Sequence, residues 1–360
     1  MLYVFRERKL PLLARWRAGE EPDTLLFGFN HLAEHHIAAG VYEPDYGPAG
    51  RALARQVGRL GPDLLQLRAL PQFRRYDAVL LTAGWPLLLL ARRLLRRPPR
   101  LVWLNLSVST LAGAAGRSAS PLARVRARLL RHALSRADCV LCVARAQQQW
   151  LRTAAGLGPE RLPFIPSGVD ASFHTPLAVP RDDGYVLAVG RDAGRDYATL
   201  AEAVRSLARP VHIVASPRNL NGIALPPNVT VHYNLPPARL RELYRGASCV
   251  VVPTHGDGYP HGSDCSGTLV LLDAMATAKP VVITERRAVH DYVSPGREAL
   301  TAPARDPQAL RAAIERVLGH GAGAAAMGAA GRAAVERRFN TRVYARDVAR
   351  LLRDEVASRK

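Results

Sequence analysis

Short apolar runs rich in β-branched residues alternate with helical patterns along most of the chain. In the second half, the runs begin at Gly184, Val211, Val229, Cys249 and Pro280, with polar loops or amphipathic stretches between them. Strands that alternate with helices are typical of a parallel sheet whose helices cover both faces. The pattern therefore predicts an α/β protein with doubly wound parallel sheets.

The first half predicts a second sheet of the same kind, because apolar runs recur there as well. The expected strands are residues 1–5, 78–82 and 101–106 and the run CVLCVA from Cys139. Residues 6–23 have the composition of a polar loop, and Thr24 is expected to cap an α-helix that continues to Ile37. A last amphipathic helix is expected over residues 341–356, after the Ala- and Gly-rich stretch 319–334.

The strongest local signal is the stretch from His255 to Thr284. The apolar run at 250–253, a predicted strand, leads into a Gly- and Asp-rich loop, a helix and a second strand. In open α/β sheets, ligands bind beyond the carboxyl ends of the strands, so the loop 256–266 and the helix start form the expected site. The helix-start amides at residues 267–269 would attract an anion. Asp273 lies one and a half turns further along and is expected to reach the same ligand.

The segment SGTLVLLDAMATAKPVVIT, from Ser266 to Thr284, resembles the nucleotide-sugar site of the retaining glycosyltransferases of family 4. That family's pattern is E-G-F-G-L-P-L-L-E-A-M-A-x-G-x-P-V-V. Asp273 takes the place of the second glutamate, and IPSGVD, which ends at Asp170, is similar to the family's I-P-N-G-V-D. The resemblance implies the GT-B fold, in which two Rossmann-like domains face each other.

The resemblance also implies a division of the chain. It gives an acceptor-side domain at residues 1–170, a linker at 171–183, a nucleotide-sugar-binding domain at 184–340, and a helix at 341–360 that crosses back to the first domain. A chain of 360 residues is long enough for two such domains.

The family places two cations on the donor diphosphate, where this sequence has Arg191 and Arg195, and its second carboxylate on the ribose, where this sequence has Asp273. These three residues are the expected catalytic set. The base is expected near Ser216 and Asn234. All the donor-binding residues that the resemblance assigns are Gly190, Arg191, Arg195, Ser216, Asn234, Asp264, Cys265, Ser266, Gly267, Thr268, Leu269 and Asp273.

Two positions depart from the family pattern. The first glutamate, which contacts the transferred sugar, is replaced by Cys265 beside Asp264, and the sugar-side histidine is absent. Asn105 or Ser107 occupies the neighbourhood of that histidine and is the expected sugar or acceptor contact. These departures leave open a catalytically silent member that binds a nucleotide and transfers nothing.

The implied reaction is transfer of a sugar to an acceptor hydroxyl with retained anomeric configuration, as in a hexosyltransferase. Guanidinium groups would offset the leaving-group charge, so no metal ion or other cofactor is expected. His31 and His35 are spaced i, i+4 on one helix face, but without the HExxH order they favour an exposed face over a metal site. Cys139 and Cys142 are interpreted as core residues of a strand.

The formal net charge of +20 indicates attraction to an anionic partner. No carboxylate stands between Asp77 and Asp138. The arginines of that stretch from residue 91 to 136 are Arg92, Arg93, Arg96, Arg97, Arg100, Arg117, Arg124, Arg126, Arg128, Arg131 and Arg136. They form either a solvated face or a surface for anionic lipid. A nucleic-acid-binding protein is a weaker alternative, because no known module accompanies the charge, and no nucleic-acid partner is expected.

The four cysteines are too few for a disulfide framework, and no signal peptide opens the chain. We therefore expect a cytoplasmic protein, with a peripheral position on the inner face of the cell membrane as an open alternative.

Overall fold

The structure, a computed structural model, describes residues 1–43, 46–56, 64–106 and 121–357. The chain divides into two compact units. Unit 1 consists of Met1–Arg17, Leu26–Ile165 and Tyr344–Lys360, and unit 2 of Ala18–Leu25 and Pro166–Val343. The predicted linker, residues 171–183, thus falls within unit 2, and most of the last helix belongs to unit 1.

Unit 1 contains a parallel sheet of five strands. They are β1 (Leu2–Val4), β2 (Gly40–Tyr42), β3 (Ala78–Leu81), β4 (Arg100–Asn105) and β5 (Cys139–Cys142). Their order across the sheet is β2-β1-β3-β4-β5, which is one of the two common doubly wound orders. Alternate side chains of β3, β4 and β5, Cys142 among them, belong to one hydrophobic core.

The helices of unit 1 cover this sheet. The α-helices are Leu10–Arg17, Gly47–Gln56, Pro86–Leu94, Pro121–Leu134, Arg145–Ala155 and Thr341–Ala357. The 3-10 helices are Phe29–His35, Gln66–Arg75 and Pro159–Arg161, and a further one, Thr24–Leu26, spans the boundary of the two units.

Unit 2 contains a parallel sheet of six strands. They are β6 (Tyr185–Val189), β7 (Val211–Val214), β8 (Val229–His232), β9 (Ala247–Val252), β10 (Val281–Thr284) and β11 (Leu300–Ala302). The order β11-β10-β9-β6-β7-β8 is that of a dinucleotide-binding fold, whose strand order reverses between β6 and β9. The predicted α/β class with two doubly wound parallel sheets is confirmed.

The helices of unit 2 alternate with its strands. The α-helices are Tyr197–Val204, Pro217–Leu220, Pro237–Gly246, Thr268–Ala276, Pro307–Gly319 and Gly321–Arg338, and the 3-10 helix is Arg287–Asp291. We call Thr268–Ala276 the site helix. Its first turn lies at the carboxyl end of β9, because the helix follows that strand through the loop 253–267.

Two predictions of local structure are wrong. The stretch 24–37 is two short 3-10 helices, since Phe27 (φ 50°) and Gly28 (φ 74°) adopt left-handed conformations that end a helix. Within the predicted polar loop 6–23, Leu10–Arg17 is an α-helix that buries Leu12 and Leu13.

The Ala- and Gly-rich stretch, whose composition predicted no particular element, lies mostly in the regular α-helix Gly321–Arg338. This helix packs on the site helix. A Cβ on Gly331 would lie 3.0 Å from Cγ of Met275, and one on Gly328 would meet the carbonyl oxygen of Ala278. The small residues therefore allow the close approach of two backbones.

Among the described residues, no helix combines the length and the apolar character needed to cross a membrane.

Candidate functional site

The candidate site of unit 2 lies where the strand order reverses, at the carboxyl ends of β6 and β9. The loop after β6 is joined to the strand end after β9 by backbone hydrogen bonds. The amide of His255 donates to the carbonyl of Gly194 (2.9 Å), and the amide of Asp196 donates to the carbonyl of Pro253 (3.2 Å). Arg195 therefore sits at a fixed position in the crevice that usually receives a ligand in such sheets.

Arg195 is the most unusual residue of this crevice, because only 7% of it is exposed and its guanidinium is poorly paired. Neither Nε nor Nη1 has a hydrogen-bond partner among the described residues. Burial lowers the pKa of Arg195, while Tyr197 and Asp192 raise it. Leaving two donors of a buried cation unpaired is costly, so their presence favours a site built to receive an anion.

Two glycines make room for this guanidinium. A Cβ on Gly190, directly after β6, would collide with Nε of Arg195. Gly267 precedes the site helix at φ 92°, and a Cβ there would lie 2.8 Å from Cγ1 of Val252 and 3.1 Å from Nη1 of Arg195. The helix start and the arginine are therefore close neighbours only because residue 267 has no side chain.

Asp192 connects the loop after β6 to the start of the site helix. Its Oδ1 accepts hydrogen bonds from Oγ of Ser266 (2.5 Å) and from the amide of Gly194 (2.8 Å). Its carbonyl accepts from Nδ2 of Asn219 (3.0 Å), whose own Oδ1 accepts from Oγ of Ser216 (2.6 Å). Ser216 and Ser266, predicted from distant parts of the sequence, thus belong to one network.

Arg286, which the sequence analysis missed, orders the loop before the site helix. It donates from Nη1 to the carbonyl of Ser266 (3.2 Å) and from Nη2 to the carbonyl of Asp264 (2.8 Å). Cys265, between them, is half-buried and donates its amide to Oγ of Ser263 (3.2 Å). The turn that replaces the family's first glutamate is thus held by a half-buried cation.

Asp273 lies within the site helix with 17% of its side chain exposed. Nε2 of His174 is 3.4 Å from its Oδ1. Burial raises the pKa of Asp273, the nearby His174 lowers it, and Asp170 raises it. The carboxylate at the position that the family uses for ribose is therefore largely desolvated and has one basic neighbour.

His174 is a second residue that the sequence analysis missed. It is 4% exposed and packs edge-on against the rings of Phe173 (5.2 Å) and Tyr244 (5.9 Å). The turn that delivers it is built on Asp170, whose Oδ1 accepts from the amides of Ser172 and Phe173. The available signal in the sequence was Asp170 itself, since an Asp side chain that accepts from the amide two residues on is typical of such a turn.

Arg332 links the turn that carries His174 to the carboxyl end of the site helix. Its Nη1 donates to the carbonyls of Ala171 (3.0 Å), His174 (2.9 Å) and Ala276 (2.7 Å). The carbonyl of Ala276 is one of those that a helix leaves unpaired at its carboxyl end. The separation of His174 from the helix that carries Asp273 is thus set by packing and by hydrogen bonds.

Other predicted residues lie further from this network. Arg191 is exposed, and Asn234 is exposed at φ 50° after β8. Thr268 is buried and Leu269 half-buried in the first turn of the site helix. In unit 1, Asn105 is buried at the carboxyl end of β4, where its carbonyl accepts from Nε2 of Gln147 (3.2 Å). Ser107 lies outside the described residues, and the roles of these residues stay predictions.

Two further predictions concern possible ligating residues. Cys139 and Cys142 are fully buried in β5. His31 is buried and bonds through Nδ1 to Glu34 (2.9 Å) rather than lying on an exposed face, so that expectation is wrong for His31. In the described ranges, no cluster of three or more His, Cys, Asp or Glu side chains is placed to hold a metal ion.

Two family models match the sequence of this chain. The model of "Glycosyltransferase Family 4" matches residues 16–173. The model of "Glycosyl transferases group 1" matches residues 183–320, which include the whole crevice between Gly190 and the site helix.

One relative is the D-inositol 3-phosphate glycosyltransferase of Acidothermus cellulolyticus, 28% identical over 197 residues. These residues are 46% of this chain and 42% of that protein, so the match spans less than half of the relative.

Among solved structures, sucrose-phosphate synthase from Thermosynechococcus elongatus has a TM-score of 0.69 at 23% identity, over 88% of this chain and 84% of that one. HepE from Anabaena, in complex with UDP and glucose, has a TM-score of 0.67 at 16% identity, over 98% of both chains. At these identities, the structural likeness establishes the fold.

Proposed function

Since the chain belongs to glycosyltransferase family 4 and has the GT-B fold, we propose that it transfers a sugar from a nucleotide-diphosphate sugar to an acceptor hydroxyl. We further propose that transfer retains the anomeric configuration and needs no metal ion. The observation that carries this proposal is the buried guanidinium of Arg195, whose Nε and Nη1 lack partners beside a helix start. A structural relative, HepE, has been solved with UDP-glucose, which supports a donor of this class.

The diphosphate of the donor would bind between Arg195 and the first turn of the site helix. Amides at a helix start point toward an anion and add the positive end of the helix dipole. Nε and Nη1 of Arg195 would then gain the acceptors that they lack in the free protein. Arg191, exposed on the same loop, would supply a second cation. Binding would thus offset the free-energy cost of burying the unpaired Nε and Nη1 of Arg195.

Asp273 would accept hydrogen bonds from the ribose hydroxyls. This role needs the ionised carboxylate, which accepts at both oxygens. His174 favours that form, while burial opposes it. The shorter side chain, compared with the family's glutamate, is compatible with the role because the buried histidine fixes the direction of one oxygen.

The chemistry would depend on charge at the leaving group. The bond between the anomeric carbon and the phosphate oxygen breaks, the acceptor oxygen bonds to that carbon from the same face, and the acceptor proton passes to the departing phosphate. Arg195 stabilises the charge that develops on the diphosphate, which is the main catalytic task of such a site. Asp264 or the Cys265 turn, fixed by Arg286, would contact the sugar in place of the family's first glutamate.

The test is a thermal-shift panel of UDP, GDP, ADP and their sugars on the wild type, Arg195→Met and Asp273→Asn. A nucleotide present at about 100 times its dissociation constant stabilises the folded state by about 2.7 kcal/mol, which is readily measured. We expect one base to give a shift that both substitutions reduce. If no nucleotide shifts the wild type, the proposal is wrong. A control, Arg316→Met, changes an exposed arginine of the same unit and should keep the shift.

Binding alone does not separate an active enzyme from a silent member of the family. The nucleotide found by the panel, supplied as its sugar with labelled anomeric carbon, is incubated with the protein and candidate acceptor hydroxyls. Release of the nucleoside diphosphate together with a glycoside of the donor's anomeric configuration supports transfer, and the same rate after chelation supports metal independence. Binding without any release over a broad acceptor set would favour the silent alternative.

A further inference from the structure

Two neighbouring helices of unit 1 expose aliphatic side chains to solvent. Leu94 ends the helix Pro86–Leu94 with 55% of its surface exposed, and Val125 and Leu129 are 54% and 45% exposed on the helix Pro121–Leu134. Val125 and Leu129 are four residues apart, so they adjoin on one helix face. Such a group of exposed aliphatic residues is a candidate interaction surface.

The same two helices and the segment after the first carry exposed arginines. These are Arg93, Arg96, Arg97, Arg124 and Arg128. None of them has an ion pair or a hydrogen bond from its side chain within the part of the chain that the structure describes. The stretch of sequence that carries them contains no acid, because no carboxylate stands between Asp77 and Asp138. Their charge is therefore available to an external partner.

The two helices that carry the exposed aliphatic residues and most of the arginines are neighbours in unit 1. The helices Pro86–Leu94 and Pro121–Leu134 contact each other, and Ala91 of the first and Leu130 of the second belong to the same hydrophobic core. Arg92 donates from Nε to the carbonyl of Arg136 (3.2 Å) and pairs with Asp138 (2.6 Å), so the carboxyl ends of both helices are joined. On the second helix, Arg124 and Arg128 form a row next to the row of Val125 and Leu129.

We propose that this basic apolar surface, made of Leu94, Val125, Leu129 and the five exposed arginines, docks on an anionic lipid bilayer. Arginines attract the anionic headgroups, and aliphatic side chains enter the boundary between headgroups and acyl chains. A nucleic acid would use the arginines alone, because a phosphate backbone offers nothing to exposed Leu and Val side chains. The inference concerns unit 1 and is independent of nucleotide binding in unit 2.

The experiment is co-sedimentation of the full chain with vesicles of equal parts phosphatidylglycerol and phosphatidylcholine, or of phosphatidylcholine alone. We expect binding to the anionic vesicles only. The variant with Arg93, Arg96, Arg97, Arg124 and Arg128 changed to Gln should bind about tenfold or more weakly. A control of equal charge change, with the exposed Arg209, Arg218, Arg239, Arg316 and Arg337 of unit 2 changed to Gln, should stay within about twofold of the wild type.

A second variant tests the apolar part of the surface. Leu94→Ser, Val125→Ser and Leu129→Ser together should weaken vesicle binding by about threefold or more, while binding to duplex DNA stays unchanged. Each variant is first compared with the wild type by circular dichroism and thermal melting, since exposed substitutions should preserve the fold. Equal loss in the control variant, no loss in the serine variant, or binding to DNA but not to anionic vesicles would each overturn the proposal.

Discussion

The imidazole Nε2 of His174 lies 3.4 Å from Oδ1 of Asp273. His174 lies in a turn that precedes the sheet of unit 2, and Asp273 lies in the site helix. Burial raises the pKa of Asp273, and the histidine is the neighbour that lowers it. Burial therefore favours the protonated form of Asp273, and His174 favours the ionised form.

This balance predicts that Asp273→Asn stabilises the ligand-free protein near neutral pH. A carboxyl whose pKa is raised on folding stabilises the folded state below its ordinary pKa, and this contribution is lost as pH rises through the raised value. The Asn side chain of the variant does not ionise, so the variant does not lose this stability as the pH rises. Urea unfolding from about pH 4 to about pH 8 should show a stability advantage that shrinks as the pH falls.

The matched variant His174→Gln leaves the carboxylate in place and removes its basic neighbour. The pKa of Asp273 should then rise further, so this variant should lose more stability than the wild type as the pH rises. An Asp273→Asn variant that is equally less stable than the wild type at every pH would contradict this account.

Arg195→Met should stabilise the free protein and weaken nucleotide binding. A buried polar group without a partner costs about 1–3 kcal/mol, and methionine fills a similar volume without charge. Chemical unfolding without ligand measures the first effect, and the thermal shift with nucleotide measures the second. Arg191→Met, at an exposed position, should change stability by no more than about 0.5 kcal/mol. Loss of stability in Arg195→Met would show that the guanidinium has a structural partner.

Gly267→Ala should destabilise the protein and weaken nucleotide binding together. Its Cβ would lie 2.8 Å from Val252 and 3.1 Å from the guanidinium of Arg195, at a φ of 92° that alanine disfavours. We expect a loss of about 1–3 kcal/mol in unfolding free energy. Gly222→Ala is the control, because Gly222 has φ 75° and nothing within 4 Å of its added Cβ. Equal effects of both substitutions would attribute the loss to backbone strain alone.

Arg286→Met should loosen the loop before the site helix. The side chain donates to the carbonyls of Ser266 and Asp264, and hydrogen bonds from a charged group contribute about 1.5–3 kcal/mol. Hydrogen exchange at residues 263–268 should accelerate in the variant. Arg297, which has 69% of its side chain exposed and pairs with Glu298, serves as the control, and equal exchange in both variants would refute a specific role for Arg286.

Much of unit 2 could be predicted because its signals are local. The strand runs GYVLAVG and CVVVPT, the site helix and the family motif around Asp273 all depend on residues close in sequence. Prediction failed where local signals conflict or are weak. The stretch 24–37 has helical spacing, but the left-handed Phe27 and Gly28 separate it into two short 3-10 helices. The Ala- and Gly-rich stretch lacks an apolar stripe because its small residues pack by close approach.

The sequence by itself determined the alternation of strands and helices, the excess of arginine and the motif that contains Asp273, since periodicity, composition and short motifs are properties of neighbouring residues. Only the tertiary structure decided that His174 pairs with Asp273 and that Arg286 holds the turn at Cys265. It also decided that Arg195 is buried with Nε and Nη1 unpaired, while Arg191 is exposed. These relations join segments far apart in the chain, and burial, which sets their energies, exists only after the chain has packed.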